Sequence, residues 1–260
     1  MVKIHFLGTC SGTEPMVGMH HCSLIIDVNG AIYWFDAGES AAYTAYTSGI
    51  DIMKTHALFI SHPHFDHIGG LPHLLWCYSK LVWRYKTGLV CDNSLDIYFP
   101  EQRIFDAAKV LATSVSPSLR FTLNEHLISD GVLREDENIK VTAMHNRHLK
   151  EDGSCGFHSY SFLIQAEGKN IVFSGDLASV SELDGIIPEK CDVLITETGH
   201  HSVKDVCEYA ISHKVGQLCF NHHGREILND RTRAEKTVAD YASESGIPMM
   251  LCHDGLVLNL

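Results

Sequence analysis

Long apolar runs are missing from the sequence, since none approaches the roughly 18 residues that a membrane-spanning helix requires. The N-terminal segment 1-MVKIHFLGTC-10 holds one lysine and a short β-like run, which is not the pattern of a secretory signal peptide. No membrane association is therefore expected, and a cytoplasmic location is the default prediction.

Cysteines at the spacing of metal or redox motifs are also missing. The nine cysteines form no Cys-x-x-Cys pair and no regular framework. An odd number in a chain of 260 residues predicts reduced, mostly buried thiols in a reducing compartment.

Basic residues are few relative to acidic ones, with 20 Lys and Arg against 32 Asp and Glu and a formal net charge of -12. This balance disfavours a protein whose main task is to hold nucleic-acid backbones, although a local basic patch is compatible with it. No repeat, low-complexity segment or Pro/Gly/Ser-rich linker divides the chain. A single domain over residues 1–260 is therefore predicted.

Short β-branched or aromatic runs bounded by Gly, Asn or Asp predict strands at 2–8, 23–28, 31–36, 57–61, 95–99, 139–144, 159–166, 170–176, 192–197, 216–221 and 249–260. Helical periodicity predicts helices at 70–85, 101–114, 202–214 and 230–245. Early hairpins followed by strand–helix alternation indicate two β-sheets packed face to face with helices outside.

Histidine is the residue in excess, and its densest cluster is 61-SHPHFDHIGG-70, directly behind a predicted strand. His62 and His64 are two residues apart, so in an extended or turn conformation they point the same way and can bind one ion. Asp66 and His67 offer an oxygen and a nitrogen to a second ion. Two ions about 3.5–4 Å apart form the kind of site that attacks phosphate or acyl centres.

Each ion needs more ligands than this loop provides. Isolated metal-binding residues at the ends of other predicted strands fill that need, because strand ends hold ligands rigidly at an open face. The candidates are His145 or His148, Asp176, and His222 or His223. Asp176 could bridge two cations, because its carboxylate has two oxygens.

The loop 62-HPHFDH-67 resembles the HxHxDH signature of the metallo-β-lactamase fold superfamily. The chain is further similar to the ribonuclease Z branch in 5-HFLGTCSGTEP-15, 31-AIYWFDAGES-40, 66-DHIGGLPHLL-75, 141-VTAMHNRH-148, 171-IVFSGD-176, 193-VLITETG-199 and 218-LCFNHHGRE-226. This resemblance implies an α/β (α+β) fold, the metallo-β-lactamase αββα four-layer sandwich. Its two mixed β-sheets are flanked by helices.

The metal ligands that the resemblance implies are His62, His64 and His148 for the first ion, Asp66, His67 and His222 for the second, and Asp176 as the bridge. His148 is preferred over His145 because the family's histidine follows the strand valine, here Val141, by seven residues. His222 is preferred over His223 because it directly follows the strand end LCFN.

The resemblance also implies a mechanism, hydrolysis by a hydroxide that bridges two divalent metal ions. Zinc is the metal predicted first, and manganese or iron stay open because His and Asp ligands suit all three. Asp66 orients or deprotonates the water, Glu197 is the second catalytic candidate, and Asp36 orients a ligand histidine.

Several departures from the tRNA-processing members bear on the substrate. Thr196 replaces the histidine that precedes Glu197 in their HEAT-like segment, and His200 or His201 is left as a candidate substitute. Residues 101–140 lack the Gly/Pro-rich basic arm of those members, and the whole chain is acidic. A small phosphodiester or other small ester is therefore favoured over RNA.

An aromatic and basic segment follows the metal loop, formed by Trp76, Tyr78, Trp83 and Tyr85 with Lys80, Arg84 and Lys86. Such a segment can stack bases and hold phosphates. The interpretation favoured here is an amphipathic helix that packs its aromatics on the core or on a partner subunit.

The predicted function is thus a binuclear metal-dependent hydrolase, a ribonuclease Z-like phosphodiesterase. Alternatives on the same metals are a lactonase, a thioesterase, an arylsulfatase-like hydrolase and a pre-tRNA 3'-end endonuclease. A diiron redox or signalling module is the alternative from a different class. The resemblance also makes a homodimer compatible with the sequence.

Overall fold

The structure is a computed structural model that describes residues 1–14, 16–114, 118–149 and 158–260. It divides into two compact units, the first made of Met1–Gly8, Pro15–Ile128 and Asp254–Leu260 and the second of Thr9–Glu14 and Ser129–His253. Each unit carries one seven-stranded β-sheet. The prediction of a single domain over residues 1–260 stays a prediction.

The sheet of the first unit has the strand order β14-β1-β2-β3-β4-β5-β6. Its strands are β1 (Val2–Gly8), β2 (Ser23–Val28), β3 (Ala31–Phe35), β4 (Thr55–Phe59), β5 (Ser94–Phe99), β6 (Thr122–Leu127) and β14 (Val257–Asn259). Pairing is antiparallel from β14 to β3 and parallel from β3 to β6, so the sheet is mixed.

The helices of the first unit are α1 (Ala41–Thr47), α2 (Phe65–Ile68), α3 (Leu71–Tyr85) and α4 (Gln102–Ala112). Residues of α1, α3 and α4 pack with sheet residues such as Trp34, Leu58 and Ile97 into one buried cluster. This cluster supports the strand ends from which the histidine-rich loop emerges.

The sheet of the second unit has the strand order β13-β12-β11-β10-β9-β8-β7. Its strands are β7 (Gly131–Glu135), β8 (Lys140–His145), β9 (Tyr160–Ala166), β10 (Lys169–Phe173), β11 (Val193–Glu197), β12 (Leu218–Asn221) and β13 (Met249–Leu251). Pairing is antiparallel from β7 to β10 and parallel from β10 to β13, which makes this sheet mixed as well. The helices α5 (Val203–Ser212), α6 (Arg225–Asn229) and α7 (Arg231–Ser245) belong to this unit.

The predicted run 249–260 is not one strand. Met249–Leu251 pairs with β12 in the second sheet, while Val257–Asn259 pairs with β1 in the first. Gly255 lies in the turn between them with a φ of 83°, a conformation that glycine adopts without strain. The short elements α1, α2, α6, β6 and β7 lie outside the predicted helices and strands.

The aromatic residues of α3 do not all pack on the core. Tyr78 is fully buried, whereas Trp76, Trp83 and Tyr85 are exposed to 40%, 59% and 52%. Packing on the core, one of the two surroundings that the favoured interpretation allows, is therefore wrong for these three side chains, and packing on a partner subunit stays a prediction.

Two further properties concern membranes and thiols. Among the described residues, no helix is both long and apolar enough to cross a bilayer. The eight cysteines in the described ranges form no disulfide, and six of them are buried. Cys155 lies outside the described residues.

Candidate metal centre

The histidine-rich loop of the first unit follows β4 and leads into α2. His62 is completely buried, and its Nε2 lies 3.0 Å from Nδ1 of His64, which has extended backbone at the N-cap of α2. Asp66 and His67 are buried in the single turn of α2, with 3.4 Å between Oδ2 of Asp66 and Nε2 of His67. The loop thus presents imidazole and carboxylate groups from four neighbouring positions.

Asp36 holds this loop from the end of β3. Its carboxylate accepts the backbone N–H of Ser61 at 2.7 Å and the hydroxyl of Ser61 at 2.7 Å. It also accepts Nδ1–H of His67 at 2.7 Å. Because the Ser61 hydroxyl donates to Asp36, its oxygen accepts Nδ1–H of His62 at 3.0 Å. Both histidines therefore have Nε2 as the nitrogen with a lone pair, the form that binds a metal.

The backbone that follows β3 is in close contact with the backbone of α2 and of the residues after it. A Cβ on Gly70 would lie 2.0 Å from the carbonyl oxygen of Gly38, and a Cβ on Gly38 would lie 2.5 Å from that of Asp66. The Gly70 N–H donates to Ala37 at 2.8 Å. Glycine is required at these positions because no side chain fits.

The second unit brings Asp176 between two histidines. Oδ2 of Asp176 lies 3.6 Å from Nε2 of His148, and Oδ1 lies 3.4 Å from Nε2 of His222. Asp176 and His222 are buried, and His222 has a φ of 46° in the left-handed region, which non-glycine residues occupy where tertiary packing enforces it. One carboxylate oxygen therefore faces each histidine.

Glu197 lies at the end of β11 and is 1% exposed. Its carboxylate accepts the N–H of Leu177 at 2.9 Å and the N–H of His200 at 2.7 Å. It also accepts Nδ1–H of His200 at 2.9 Å, which orients that imidazole. Oδ2 of Asp176 lies 3.9 Å from the same Nδ1, and the ring of His200 is 4.7 Å from that of His148. His200 is therefore a half-exposed histidine close to Asp176 and His148. The sequence alone did not decide whether His200 or His201 lies near Glu197.

The other histidines that the sequence left as candidates for the site make hydrogen bonds to groups outside it. Nδ1 of His145 lies 2.6 Å from Oδ2 of Asp130. Nε2–H of the fully buried His223 donates to the carbonyl of Cys252 at 2.8 Å, and burial lowers the pKa of His223 to about 4. Nε2 of His201 donates to the carbonyl of Leu177 at 3.1 Å.

The donor groups fit divalent metal ions. Neutral imidazoles with fixed tautomers and buried carboxylates are ligands that zinc, manganese and iron share. Within the second unit, one ligand atom from each of Asp176, Glu197, His200 and His222 lies within 4.8 Å of the others. Asp36 and Ser61 add the supporting hydrogen bonds that metal-binding histidines commonly have.

Comparison with known proteins identifies the family. The family model described as Anti-Pycsar protein Apyc1 matches residues 2–236. The ribonuclease Z of Pyrococcus abyssi is 32% identical over 257 residues, which cover 90% of this chain and 78% of that protein. The ribonuclease Z of Shouchella clausii is 25% identical over an alignment of 318 positions, which covers 100% of this chain and 97% of that protein. Other ribonuclease Z relatives are matched over about half their length, 45% in Methanothermobacter thermautotrophicus and 50% in Listeria innocua.

Solved structures show the same fold. The metallo-β-lactamase fold protein YhfI from Bacillus subtilis has a TM-score of 0.73 at 16% identity, covering 99% of this chain and 98% of that one. The short form of human tRNase Z has a TM-score of 0.72 at 19% identity with the same coverage. Since the family model covers most of the chain, the protein belongs to the Anti-Pycsar protein Apyc1 family and is a metal-dependent hydrolase of the metallo-β-lactamase fold, of ribonuclease Z type.

Proposed function

We propose that the protein is a binuclear metal-dependent phosphodiesterase that acts on small phosphodiesters. The observation that carries this proposal is the placement of Asp176, whose two carboxylate oxygens face His148 and His222 at 3.6 Å and 3.4 Å. A carboxylate between two histidines is the arrangement expected of a ligand shared by two cations.

The proposed ligands are His62, His64 and His148 for one ion, Asp66, His67 and His222 for the other, and Asp176 for both. Two bound divalent cations would supply an activated water and take up negative charge on the phosphoryl oxygens. Zinc is the proposed metal, as in PqqB from Methylobacterium extorquens, a protein of similar fold whose structure is described as Zn(2+)-bound. Asp66 is a buried residue, and its carboxylate would orient the attacking water.

Glu197 acts through His200 in this proposal. The buried carboxylate holds Nδ1–H of His200, so the exchangeable proton of this imidazole is at Nε2. The side chain of His200 is 43% exposed, which leaves it accessible to a substrate oxygen. His200 would donate a proton to the leaving oxygen, the part that a general acid plays in ester cleavage.

The substrate is proposed to be small because the chain offers little to hold an RNA. Its formal net charge is -12, and capture of RNA requires several phosphate contacts. Between residues 101 and 140, the described residues form α4, β6, β7 and short connections. The curated relatives are named ribonuclease Z, so pre-tRNA is the competing substrate to be tested.

A substrate panel with the metal-loaded protein tests the function. Bis(4-nitrophenyl) phosphate, a lactone, a thioester, an aryl sulfate and a pre-tRNA with a 3' trailer are compared by kcat/KM after loading with Zn²⁺ or Mn²⁺. Turnover of the diester, lost in His64→Ala and Asp176→Ala, is the expected result. Absence of diester turnover in the fully loaded wild type contradicts the proposal, and cleavage of the pre-tRNA alone would establish the endonuclease alternative.

The panel also addresses the redox alternative. A diiron module would bind iron and turn over none of the esters. Asp27→Asn serves as the control variant, since Oδ1 of Asp27 accepts the N–H of Gly30 in a hairpin turn and an asparagine can do the same.

We further propose that a second copy of the chain covers the exposed aromatic face of α1 and α3. Tyr43, Tyr46, Trp83 and Tyr85 are exposed, and the hydroxyls of Tyr46 and Tyr85 are 3.4 Å apart. A mainly apolar cavity of about 330 Å³ opens beside Tyr46. Exposed aromatic patches of this kind are typical of protein interfaces, and a symmetric dimer pairs the same face of both copies.

Light scattering after size-exclusion chromatography tests the dimer. The wild type should have about twice the chain mass of 28.9 kDa, and Tyr46→Arg should lower it to that of one chain. Val132→Arg, on an exposed position of β7, should leave the mass unchanged. A monomeric wild type at micromolar concentration would refute the dimer. A cytoplasmic location is proposed as well, in keeping with the reduced cysteines of the described residues, which form no disulfide.

A further inference from the structure

Glu182 lies in the 3-10 helix Val180–Gly185, which follows the Asp176 loop of the second unit. Oε2 of Glu182 accepts the N–H of Ala178 at 3.0 Å and the N–H of Ser179 at 3.3 Å. Ser179 and Glu182 form a capping box, in which the side chain of each residue accepts the backbone N–H of the other. These bonds account for one oxygen of the carboxylate.

The other oxygen makes a bond that helix capping does not require. Oε1 of Glu182 accepts the backbone N–H of Arg147 at 2.9 Å, across 35 positions of the sequence. Arg147 directly precedes His148, and Ala178 follows Asp176 by two residues. One carboxylate therefore joins the loop that carries His148 to the loop that carries Asp176.

Each loop has a separate attachment to the sheet. The His148 N–H donates to Oδ1 of Asn146 at 3.2 Å, and Nδ2 of Asn146 donates to Oγ of Ser161 on β9 at 3.2 Å. The Leu177 N–H donates to Oε1 of Glu197 on β11 at 2.9 Å. These bonds hold the His148 loop to β9 and the Asp176 loop to β11, while Glu182 links the two loops to each other where Nε2 of His148 and Oδ2 of Asp176 are 3.6 Å apart.

We propose that Glu182 is a positioning residue that sets the separation of His148 and Asp176 and thereby the affinity for the metal ion that these two residues share. The inference rests on the proposed function, in which both are ligands. Hydrogen bonds from backbone N–H groups to a carboxylate are stronger than bonds between neutral groups, so this link is suited to hold two loops in place. Supporting interactions around metal ligands commonly change metal affinity by about 10- to 100-fold.

Four variants separate this link from the capping of the helix. Glu182→Ala removes both acceptor oxygens, and Glu182→Gln keeps the side-chain volume with one acceptor and no charge. Ser179→Ala weakens the helix cap but leaves the bond from Arg147 in place. Glu189→Gln makes the same chemical change as Glu182→Gln at an exposed position of the same unit.

The measurement is the Zn²⁺ affinity of the metal-free protein, determined by competition with a chromogenic chelator. We expect Glu182→Ala and Glu182→Gln to bind Zn²⁺ about tenfold more weakly, with Ser179→Ala and Glu189→Gln like the wild type. Hydrogen exchange of the Arg147 amide in the metal-free protein should be faster in both Glu182 variants only. Circular dichroism checks that each variant is folded. If Glu182→Ala does not fold, the Zn²⁺ affinity of Glu182→Gln alone tests the positioning role.

Wild-type affinity in the Glu182 variants would overturn the positioning role while leaving the proposed function intact. An equal loss of affinity in Ser179→Ala would overturn it too, because the helix cap alone would then explain the effect. No Zn²⁺ binding by the wild type would instead overturn the proposed function itself.

Discussion

Two side chains that bind no metal in our proposal determine how the histidine-rich loop presents its nitrogens. Ser61 donates its hydroxyl to Asp36 and accepts Nδ1–H of His62, while His67 donates Nδ1–H to Asp36 directly. A single buried carboxylate thus sets the tautomers of two proposed ligands. Removal of the Asp36 carboxylate is expected to lower the affinity for the metal, although Asp36 is not itself a proposed ligand.

Asp36→Asn tests this arrangement. An amide cannot accept all three hydrogen bonds that the carboxylate accepts, so His67 loses its fixed orientation. We expect the affinity for Zn²⁺ to fall by about 10- to 100-fold, measured by chelator competition. Asp27→Asn, a like change in the same unit, should bind as the wild type. Unchanged affinity in Asp36→Asn would show that Asp36 does not orient the ligand.

His200→Ala tests the proposed proton donor through the leaving group. A nitrophenolate leaves without protonation, whereas an alkoxide requires a proton. The variant should therefore lose about 10²- to 10⁴-fold in kcat on an alkyl phosphodiester and little on bis(4-nitrophenyl) phosphate. His201→Ala, whose imidazole donates to the Leu177 carbonyl, should show no such difference between the substrates. Equal losses on both substrates would argue against general acid catalysis by His200.

Spacing and resemblance predicted the ligand set and left His200 or His201 as the candidate beside Glu197, but they did not indicate the hydrogen bonds of Ser61. The motif in residues 62–67 is local, so its chemistry can be read from the sequence. The bond between Glu197 and His200 depends on how the chain turns after β11, and a residue count cannot show this. The ligand set itself stays a prediction for the experiments above.

At the scale of elements, α3 is anchored by one buried hydroxyl. The hydroxyl of Tyr78 lies 2.8 Å from Oγ1 of Thr55, which also accepts Nε1–H of Trp34 at 3.1 Å. The Thr55 hydroxyl donates its own hydrogen to the carbonyl of Ile52 at 2.7 Å, so the phenol of Tyr78 is the donor to Oγ1 of Thr55. The helix that follows the metal loop is thereby attached to β3 and β4.

Tyr78→Phe should lower the free energy of unfolding by about 0.5–1.5 kcal/mol, the net contribution of one hydrogen bond. Urea denaturation of the metal-free protein measures it. Tyr85→Phe is the matched control on the same helix, since its hydroxyl is exposed and should contribute within about 0.5 kcal/mol. If Tyr85→Phe destabilised the protein more than Tyr78→Phe, the anchoring role would be wrong.

The elements that were predicted well carry strong local signals. Helix α7 begins after Asp230, which accepts the N–H of Arg233, and ends at Gly246 with a φ of 75°. Helix α1 was missed because Ser40 precedes it in a left-handed conformation without a side-chain cap. Strands β6 and β7 were missed because no residue in either is buried, and an alternating apolar pattern is therefore weak.

At the scale of the whole molecule, the fold was predictable because a specific motif agreed with strand-end positions along nearly the whole chain. Composition alone indicated an ordinary globular protein with a net charge of -12. The exposure of Trp76, Trp83 and Tyr85 was not predictable, because a helical aromatic stripe looks the same whether the core or a second copy covers it. The assignment of the chain's last strands to two different sheets depends on pairing between distant segments, which the local sequence does not specify.

The central claim is that the activity requires two metal ions per chain, and a metal titration of the dialysed protein tests it most directly. Turnover of bis(4-nitrophenyl) phosphate is followed while Zn²⁺ or Mn²⁺ is added in known equivalents, with bound metal measured in parallel. We expect no turnover without metal and a rise to a plateau at two bound ions per chain. A plateau at one bound ion, or turnover that persists after complete removal of metal, would contradict the binuclear phosphodiesterase.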